Sequence, residues 1–139
     1  MNVWQSGCQS RPLDAIIDGR KTIEGRLNRG KFAQYRPGDV IELRRDFRDG
    51  NGVLRDGDVA EVRVKVMAVR RYDSFLSLLQ TEDFRRLIPG ALSAQEAANE
   101  YDKYYPPDDQ AKYGVLAIEI KFLDLIGDRS QSVSCDQRG

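Results

Sequence analysis

Apolar and polar residues alternate most clearly in two long stretches of the chain, 57–69 and 112–123. Successive side chains of a β-strand point to opposite faces of the sheet, so a period of two predicts a strand in each stretch. Residues 22–27 and 40–44 show the same alternation over a shorter length and predict two further strands. In the stretch 57–69 the pattern indicates one face in the core and one face largely in solvent.

The alternation also predicts which side chains share a face. In residues 22–27 it places Glu24 and Arg26 on one face and Ile23 and Leu27 on the other. In the last strand it places the following residues on one face: Leu116, Ile118, Ile120 and Phe122.

Three short helices are predicted between these strands. Residues 12–19 begin with Pro12, which suits a first helical turn, and Asp73 or Ser74 can cap a second helix over residues 74–80. Residues 93–105 begin with a capping box, in which a serine precedes a glutamate by three positions, and two prolines stop this helix. Tyr105 and Tyr113 are expected to flank a loop that leads into the last strand.

Strands interrupted by short helices, without a regular β–α–β alternation, indicate the α+β class. We expect a small, mostly antiparallel sheet that can close into a barrel, with short flanking helices. Residues 1–123 are predicted to form one domain, since 139 residues suffice for a single core. Residues 124–139 are polar and aperiodic, and we expect a flexible tail.

The composition excludes several classes of protein. No apolar run approaches the roughly 20 residues that span a bilayer, and the N-terminus resembles no export signal, so we expect a cytoplasmic protein without membrane contact. The chain has no histidine, and Cys8 and Cys135 lie near opposite ends, so few side chains are available to form a zinc site or a histidine-based triad. We therefore expect two free thiols, no metal and no cofactor.

Charge is distributed unevenly although the net charge is zero. The stretch from Gly19 to Asp39 contains only two acidic residues beside the following cations: Arg20, Lys21, Arg26, Arg29, Lys31 and Arg36. A basic face on a neutral domain is typical of a site for an anion.

Three segments together resemble the ASCH domain, a family of the PUA-like β-barrel superfamily. They are GRKTIEGRL after a short helix, RPGDVIEL as the next strand, and YGVLAIEIKFL as the closing strand. The resemblance covers about residues 12–123. It implies a barrel with a cleft beside the first helix and an association with RNA or modified nucleosides.

The resemblance also implies candidate chemistry. Some members resemble hydrolases of N4-acetylcytidine, which use a lysine, a threonine three positions later and a distant glutamate. Lys21 matches the lysine, but Glu24 occupies the threonine position, and the stretch 87–90, where the distant glutamate is expected, contains no carboxylate. Other members are ribonucleases acting on single-stranded RNA, and no sharp motif of theirs transfers to particular positions.

Lys21 and Glu24 are the candidate catalytic residues if the protein is an enzyme. Lys21 would need a lowered pKa to act as a nucleophile or base, and Glu24 would carry the proton. Lys21 and Arg26 are equally candidates for binding phosphate, and Glu24 for accepting a hydrogen bond from a base amine. The alternative is that Glu24 and Arg26 form an ion pair that only supports the fold.

The remaining candidates combine cations with aromatic rings, which is how single-stranded nucleic acid is usually held. Arg29, Lys31 and Arg36 lie in the loop before the second strand, where we expect Phe32 to pack inside. The candidates for stacking on a base are the two tyrosines that flank the predicted loop: Tyr105 and Tyr113.

The leading hypothesis is an RNA-interacting or modified-nucleoside-interacting domain with a basic cleft, acting as a monomer. A hydrolase that cleaves RNA or an acetylated cytidine in the same cleft is the first alternative. A protein-interaction module, with an unknown protein partner, is the second.

Overall fold

The computed structural model describes residues 1–57 and 59–126. Its elements follow one another in the order β1 (Val3–Gln9), α1 (Ser10–Ile17), β2 (Ile23–Leu27), a 3₁₀ helix (Gly30–Gln34), β3 (Val40–Arg48), β4 (Leu54–Arg55), β5 (Ala60–Tyr72), α2 (Phe75–Thr81), α3 (Phe84–Leu87), α4 (Ala94–Asp102), α5 (Pro107–Tyr113) and β6 (Val115–Leu125). The α+β class is thereby confirmed.

One six-stranded sheet contains the strands in the order β1-β3-β5-β6-β2, and β4 adds a short pairing to β3. All neighbours are antiparallel except β1 and β3, which run parallel. The sheet does not close, because β1 and β2 pair with no further strand within the described residues. The predicted closed barrel is therefore wrong in this detail. A gap is left between these two edges, and Lys31 of the 3₁₀ helix donates to the Gln5 carbonyl on the β1 side of it.

Strand β1 is absent from the sequence prediction because its residues, VWQSGCQ, lack a strong alternation. It forms by pairing with β3 in a register that runs from Val3 opposite Val40 to Gln9 opposite Asp46. The Asp39 carboxylate fixes the start of this pairing. It accepts hydrogen bonds from the Asn2 amide at 3.0 Å, the Trp4 indole at 2.9 Å and the Arg36 amide at 3.0 Å.

Two apolar cores lie on opposite faces of β2 and β6. The core inside the sheet contains Leu116, Ile118 and Ile120, and Phe32 packs at its margin as predicted. The core beneath helices α2, α3 and α4 contains Ile23, Leu27, Val115 and Ala117. The predicted alternation is confirmed in both strands: both faces of β6 are apolar, whereas β2 has one apolar face and carries Glu24 and Arg26 on the other.

The helices differ from the prediction mainly in the chain between α4 and β6. Ser93 caps α4 by accepting from the Glu96 amide at 3.0 Å, as the capping box predicts, but the helix ends at Asp102 rather than at residue 105. Residues 107–113 form helix α5 where a loop was predicted, since Pro107 occupies its first turn, a position that needs no amide donor.

Strand β6 continues to Leu125, two residues beyond the predicted domain end, because Asp124 and Leu125 still pair with β5. The rest of the predicted tail, with Cys135, falls in residues 127–139 and lies outside the described residues. Among the residues that are described, no helix is both long and apolar enough to cross a membrane.

Candidate functional site

Strand β2 positions the candidate site. Ile23 and Leu27 anchor one face of the strand in the helical core, so Glu24 and Arg26 project from the other face. These two side chains line a cavity inside the sheet, and the other lining residues come from β1, β3, β5, β6 and the segment with Phe32 and Tyr35. The sequence prediction that Glu24 and Arg26 share a face agrees with this arrangement.

Lys21 does not stand over an open cleft. Its side chain is only 4% exposed, and its ammonium donates to the Ile23 carbonyl at 2.9 Å and to the Leu87 carbonyl at 2.6 Å. It also lies 3.5 Å from Glu24 Oε1. Lys21 therefore ties β2 to the end of α3 from inside the protein.

The charge states at this site follow from burial and pairing. Burial disfavours the charged form of Lys21, but the adjacent Glu24 carboxylate reverses the effect and holds the lysine pKa above its ordinary value. Burial likewise acts to raise the pKa of Glu24, but Lys21 and then Arg26 bring it below its ordinary value. Both groups are ionised at neutral pH. The lowered lysine pKa that a nucleophile or base requires is not found.

Arg26 connects this ion pair to aromatic rings. Its guanidinium lies 3.6 Å from Glu24 Oε2, donates to the Tyr105 hydroxyl at 3.3 Å, and stands 5.0 Å from the centre of the Phe32 ring. Its Nε is buried and has no hydrogen-bond partner. A buried N–H without a partner costs free energy, so this donor favours any acceptor that reaches it.

A cavity of about 20 Å³ lies beside Arg26, which is room for one group the size of a water molecule. Its polar lining comes from Ser6 on β1, from Glu24 and Arg26 on β2, and from Tyr35. The Tyr35 hydroxyl lies near Ser6, but it is buried and finds no partner in hydrogen-bond geometry. Two unsatisfied polar atoms, Arg26 Nε and Tyr35 Oη, thus belong to residues of one cavity.

Aromatic residues from the helical layer form a wall beside Arg26. Tyr101 stacks on Phe75 with ring centres 4.4 Å apart and an angle of 10°, and Tyr105 lies 5.3 Å from the same ring. Gly25 permits this packing, because a β-carbon there would stand 3.0 Å from the Tyr101 ring. The hydroxyl of Tyr105 reaches the site, while its ring packs against the other rings of this wall.

Gln110 fixes this wall from α5. Its Oε1 accepts from the Phe75 amide at 2.9 Å, and its Nε2 donates to the Asp102 carboxylate and to the Tyr105 carbonyl, each at 2.8 Å. Sequence reasoning missed Gln110 because it predicted a loop there. It also did not select Ser6, Tyr35 and Tyr101 as site residues. Ser6 reaches the cavity only through the pairing of β1 with β3, which was not predicted.

The loop cations separate into different environments. Arg29 lies 4.8 Å from the centre of the Tyr113 ring, so these two candidates form a second cluster. Lys31 lies 5.4 Å from the centre of the Phe32 ring. Arg36 donates to the loop carbonyls of Ala33 and Tyr35 at 3.4 Å and 3.1 Å. Among the described residues it forms no ion pair with Glu24 of β2.

In the described part of the chain, no three His, Cys, Asp or Glu side chains lie close enough together to bind one metal ion. Cys8, a free thiol on β1, is buried, and that burial, followed by the charge of Glu24, raises its pKa to about 12. The thiol is therefore protonated and a poor nucleophile at neutral pH.

Comparison with known proteins identifies similar chains. The model of the ASCH domain family matches residues 7–124. The crystal structure of hypothetical protein PH0355 is 34% identical with a TM-score of 0.72, over 87% of this chain and 99% of its own. The solution structure of PF0455 from Pyrococcus furiosus is 35% identical with a TM-score of 0.67, over 88% of this chain and 98% of its own.

A more distant likeness concerns the fold alone. A serine-to-alanine mutant of ZmASCH from Zymomonas mobilis is 16% identical with a TM-score of 0.57, over 88% of this chain and 71% of its own. No curated protein matches the chain.

Proposed function

The chain belongs to the ASCH domain family, and from this premise we propose that it binds RNA or a modified nucleoside at the gap between β1 and β2. The observation that carries the proposal is the pair of unsatisfied buried atoms, Arg26 Nε and Tyr35 Oη, in residues that line one cavity. An oxygen acceptor of a ligand that reaches either atom would satisfy a donor that has no partner among the described residues. The cavity admits a single such group, so the ring that carries it would lie outside the cavity.

Electrostatics support an electron-rich ligand group. Lys21 and Arg26 are positive and Glu24 is negative, so the site holds one excess positive charge in a largely buried position. A buried charge without full compensation favours an acceptor or an anion. A carbonyl oxygen of a base or a phosphate oxygen meets this requirement.

Glu24 adds a preference among bases. Its two oxygens have further capacity to accept, because a carboxylate offers about four acceptor positions and its contacts are the Gly25 amide at 3.2 Å, Lys21 at 3.5 Å and Arg26 at 3.6 Å. A carboxylate that accepts beside a guanidinium that donates complements a base edge with an amine next to an acceptor. Cytosine and adenine have such an edge, and uracil does not.

A hydrolase at this site is less well supported. Lys21 is protonated and already donates to two carbonyls, so it has no free electron pair for attack. Glu24 is held ionised by two cations, which weakens it as a base. A protein-interaction module, the other alternative, does not account for the two unsatisfied buried donors.

Binding assays with matched variants test the proposal. A labelled single-stranded RNA rich in cytosine, and free cytidine and N4-acetylcytidine, would be titrated against the wild type, Arg26→Met and Tyr35→Phe. Both variants remove an unsatisfied donor, and Tyr35→Phe does so without changing the ring. Arg20→Met is the control, because Arg20 is an exposed cation of the same segment and pairs only with Asp18 among the described residues.

We expect Arg26→Met to weaken binding at least tenfold, Tyr35→Phe several-fold, and Arg20→Met less than twofold. A denaturing gel of each sample reports cleavage, and RNA that stays intact agrees with a binding domain. Wild-type affinity in both Arg26→Met and Tyr35→Phe would refute the proposed site. If the wild type cleaves the RNA and Glu24→Gln does not, the protein is a hydrolase rather than a binding domain.

A further inference from the structure

An open groove of about 270 Å³ lies between α2, α4 and α5, and it shares no lining residue with the cavity beside Arg26. Its walls come from the chain around the start of α2, from the end of α4 and from one face of α5. Two carboxylates, three apolar side chains, Ser74 and Gln110 line it, and no basic residue of the described chain does. The groove is therefore acidic and partly apolar.

The first carboxylate of the groove belongs to Asp73, which is exposed. Sequence analysis gave the cap of α2 to Asp73 or to Ser74. In the structure Ser74 forms the cap, because its hydroxyl accepts from the Ser77 amide at 3.1 Å. The Asp73 side chain is left without a hydrogen bond or an ion pair among the described residues. Its full acceptor capacity is available to a ligand.

The second carboxylate belongs to Asp102, the last residue of α4. It accepts from Gln110 Nε2 at 2.8 Å, and this amide donor is neutral. The carbonyl end of a helix carries a partial negative charge, which disfavours a carboxylate at that position. No ion pair with a described residue offsets the charge of Asp102. The groove thus holds two negative charges that lack a cationic partner in the described chain.

The acidic charge extends beyond the groove. The segment 93–111 contains a single basic residue, Lys103, which already lies 3.0 Å from Glu100 on the surface. The acidic residues of this segment are Glu96, Glu100, Asp102, Asp108 and Asp109. An excess of one sign of charge around a groove attracts ligands that carry several charges of the opposite sign.

The apolar wall of the groove indicates what kind of cation fits. Pro107 and Ala111 are four positions apart on α5, so they share one face of the helix, and Leu76 of α2 lines the same groove. A lysine or arginine side chain combines a methylene stem, which packs on apolar surface, with a cationic end that stays at a carboxylate or in water. An inorganic cation has no such stem. The groove therefore matches a cationic side chain in both charge and polarity.

We propose that this groove docks a basic segment of a partner protein, with one lysine or arginine side chain of the segment inside the groove. The stem of that side chain packs on the apolar wall, and its cationic end approaches Asp73 or Asp102. Exposed charge pairs are individually weak, so a segment with several cations binds where a free amine does not. This docking surface is separate from the proposed ligand site and does not depend on it.

Binding of a fluorescein-labelled hexalysine, measured by fluorescence anisotropy at low salt, tests the proposal. The variant Asp73→Asn/Asp102→Asn removes both charges of the groove, and an asparagine at position 102 still accepts from Gln110. The control Asp108→Asn/Asp109→Asn removes the same charge from α5, at two residues that do not line the groove.

Further arms of the experiment separate charge from shape. Ala111→Leu keeps the charge of the protein and narrows the groove, because Ala111 lines it. Hexalysine with acetylated side chains tests the need for charge, and spermine tests whether a small polyamine suffices. Thermal unfolding of each variant shows whether it is folded.

We expect hexalysine to bind the wild type in a saturable manner, with an affinity that falls as salt screens the charges. Asp73→Asn/Asp102→Asn should weaken binding about tenfold, since an exposed ion pair contributes up to about fivefold in affinity and two are removed. Ala111→Leu should weaken it roughly fourfold, the cost of one methylene of the stem that leaves the apolar wall. The control variant should lose less than about threefold, and acetylated hexalysine should not bind. Spermine should compete about tenfold more weakly than unlabelled hexalysine, because it carries fewer cations.

Each contrary result has a definite meaning. No binding of hexalysine at low salt, or equal losses in the two double variants, would overturn the proposal. Wild-type affinity in Ala111→Leu would show that no side chain enters the groove and would also overturn it. Spermine competing as strongly as hexalysine would make the groove a site for small polyamines instead of a docking surface. If Asp73→Asn/Asp102→Asn is unfolded, Ala111→Leu and the acetylated peptide decide. None of these results bears on the ligand site beside Arg26.

Discussion

Replacing Glu24 by glutamine removes the only carboxylate in ion-pair contact with Lys21 and Arg26 among the described residues. Its oxygens lie 3.5 Å from the lysine ammonium and 3.6 Å from the guanidinium. At an effective dielectric constant of about 20, each contact contributes about 5 kcal/mol of attraction, before the cost of removing the charges from water. Breaking a buried ion pair by deleting one partner typically costs about 3–5 kcal/mol.

We expect Glu24→Gln to lower the free energy of unfolding by about 3 kcal/mol, the lower end of this range. Lys21 keeps its hydrogen bonds to two carbonyls, and the Glu24 side chain is 19% exposed, so part of the charge stays solvated. Urea unfolding at pH 7, followed by the fluorescence of Trp4, measures the change. Glu100→Gln is the control, because Glu100 pairs with Lys103 on the surface, where solvent screens the pair and its loss should leave the unfolding midpoint nearly unchanged.

The pH dependence has a definite sign. The folded-state pKa of Glu24 lies below its ordinary value of 4.5, so the wild-type advantage over Glu24→Gln is present above that value. It is lost as the pH falls through the folded-state pKa and the carboxylate becomes protonated. A difference below about 1 kcal/mol at pH 7, or one that stays constant down to acid pH, would contradict the reasoning.

Three further predictions concern contacts that hold the site. Gly25→Ala should cost about 1–3 kcal/mol, because its β-carbon would crowd the Tyr101 ring at 3.0 Å, and Tyr101→Leu should recover part of the loss in urea unfolding. Asp39→Ala should lower the free energy of unfolding by about 2 kcal/mol and shift the emission of Trp4, because the indole loses its acceptor. The Asn2 amide and then Trp4 hold the pKa of Asp39 below its ordinary value, so the stability advantage of the wild type should disappear in acid. Gln110→Ala should cost about 2–3 kcal/mol by thermal unfolding, since it removes three hydrogen bonds, and a loss below about 0.5 kcal/mol would refute its role.

Local patterns were sufficient for some of the fold and for part of the site. The alternation around Glu24 and Arg26 predicted their common face, and the capping box predicted where α4 begins. The resemblance drew attention to Lys21 but not to its burial. The Leu87 carbonyl that holds this lysine lies 66 residues away in sequence, so no local pattern contains it.

The amino-acid sequence by itself determined the strand periodicity, the α+β class and the concentration of cations before Asp39, because these depend on neighbouring residues. Tertiary structure alone decided that β1 pairs with β3, that the sheet stays open, and that Tyr35 meets Arg26 in one cavity. It also decided that Lys21 is a buried, protonated support rather than an exposed reactive amine. The physical reason is that burial and charge pairing, which set the state of an ionisable group, arise from residues that are distant in the chain and meet only on folding.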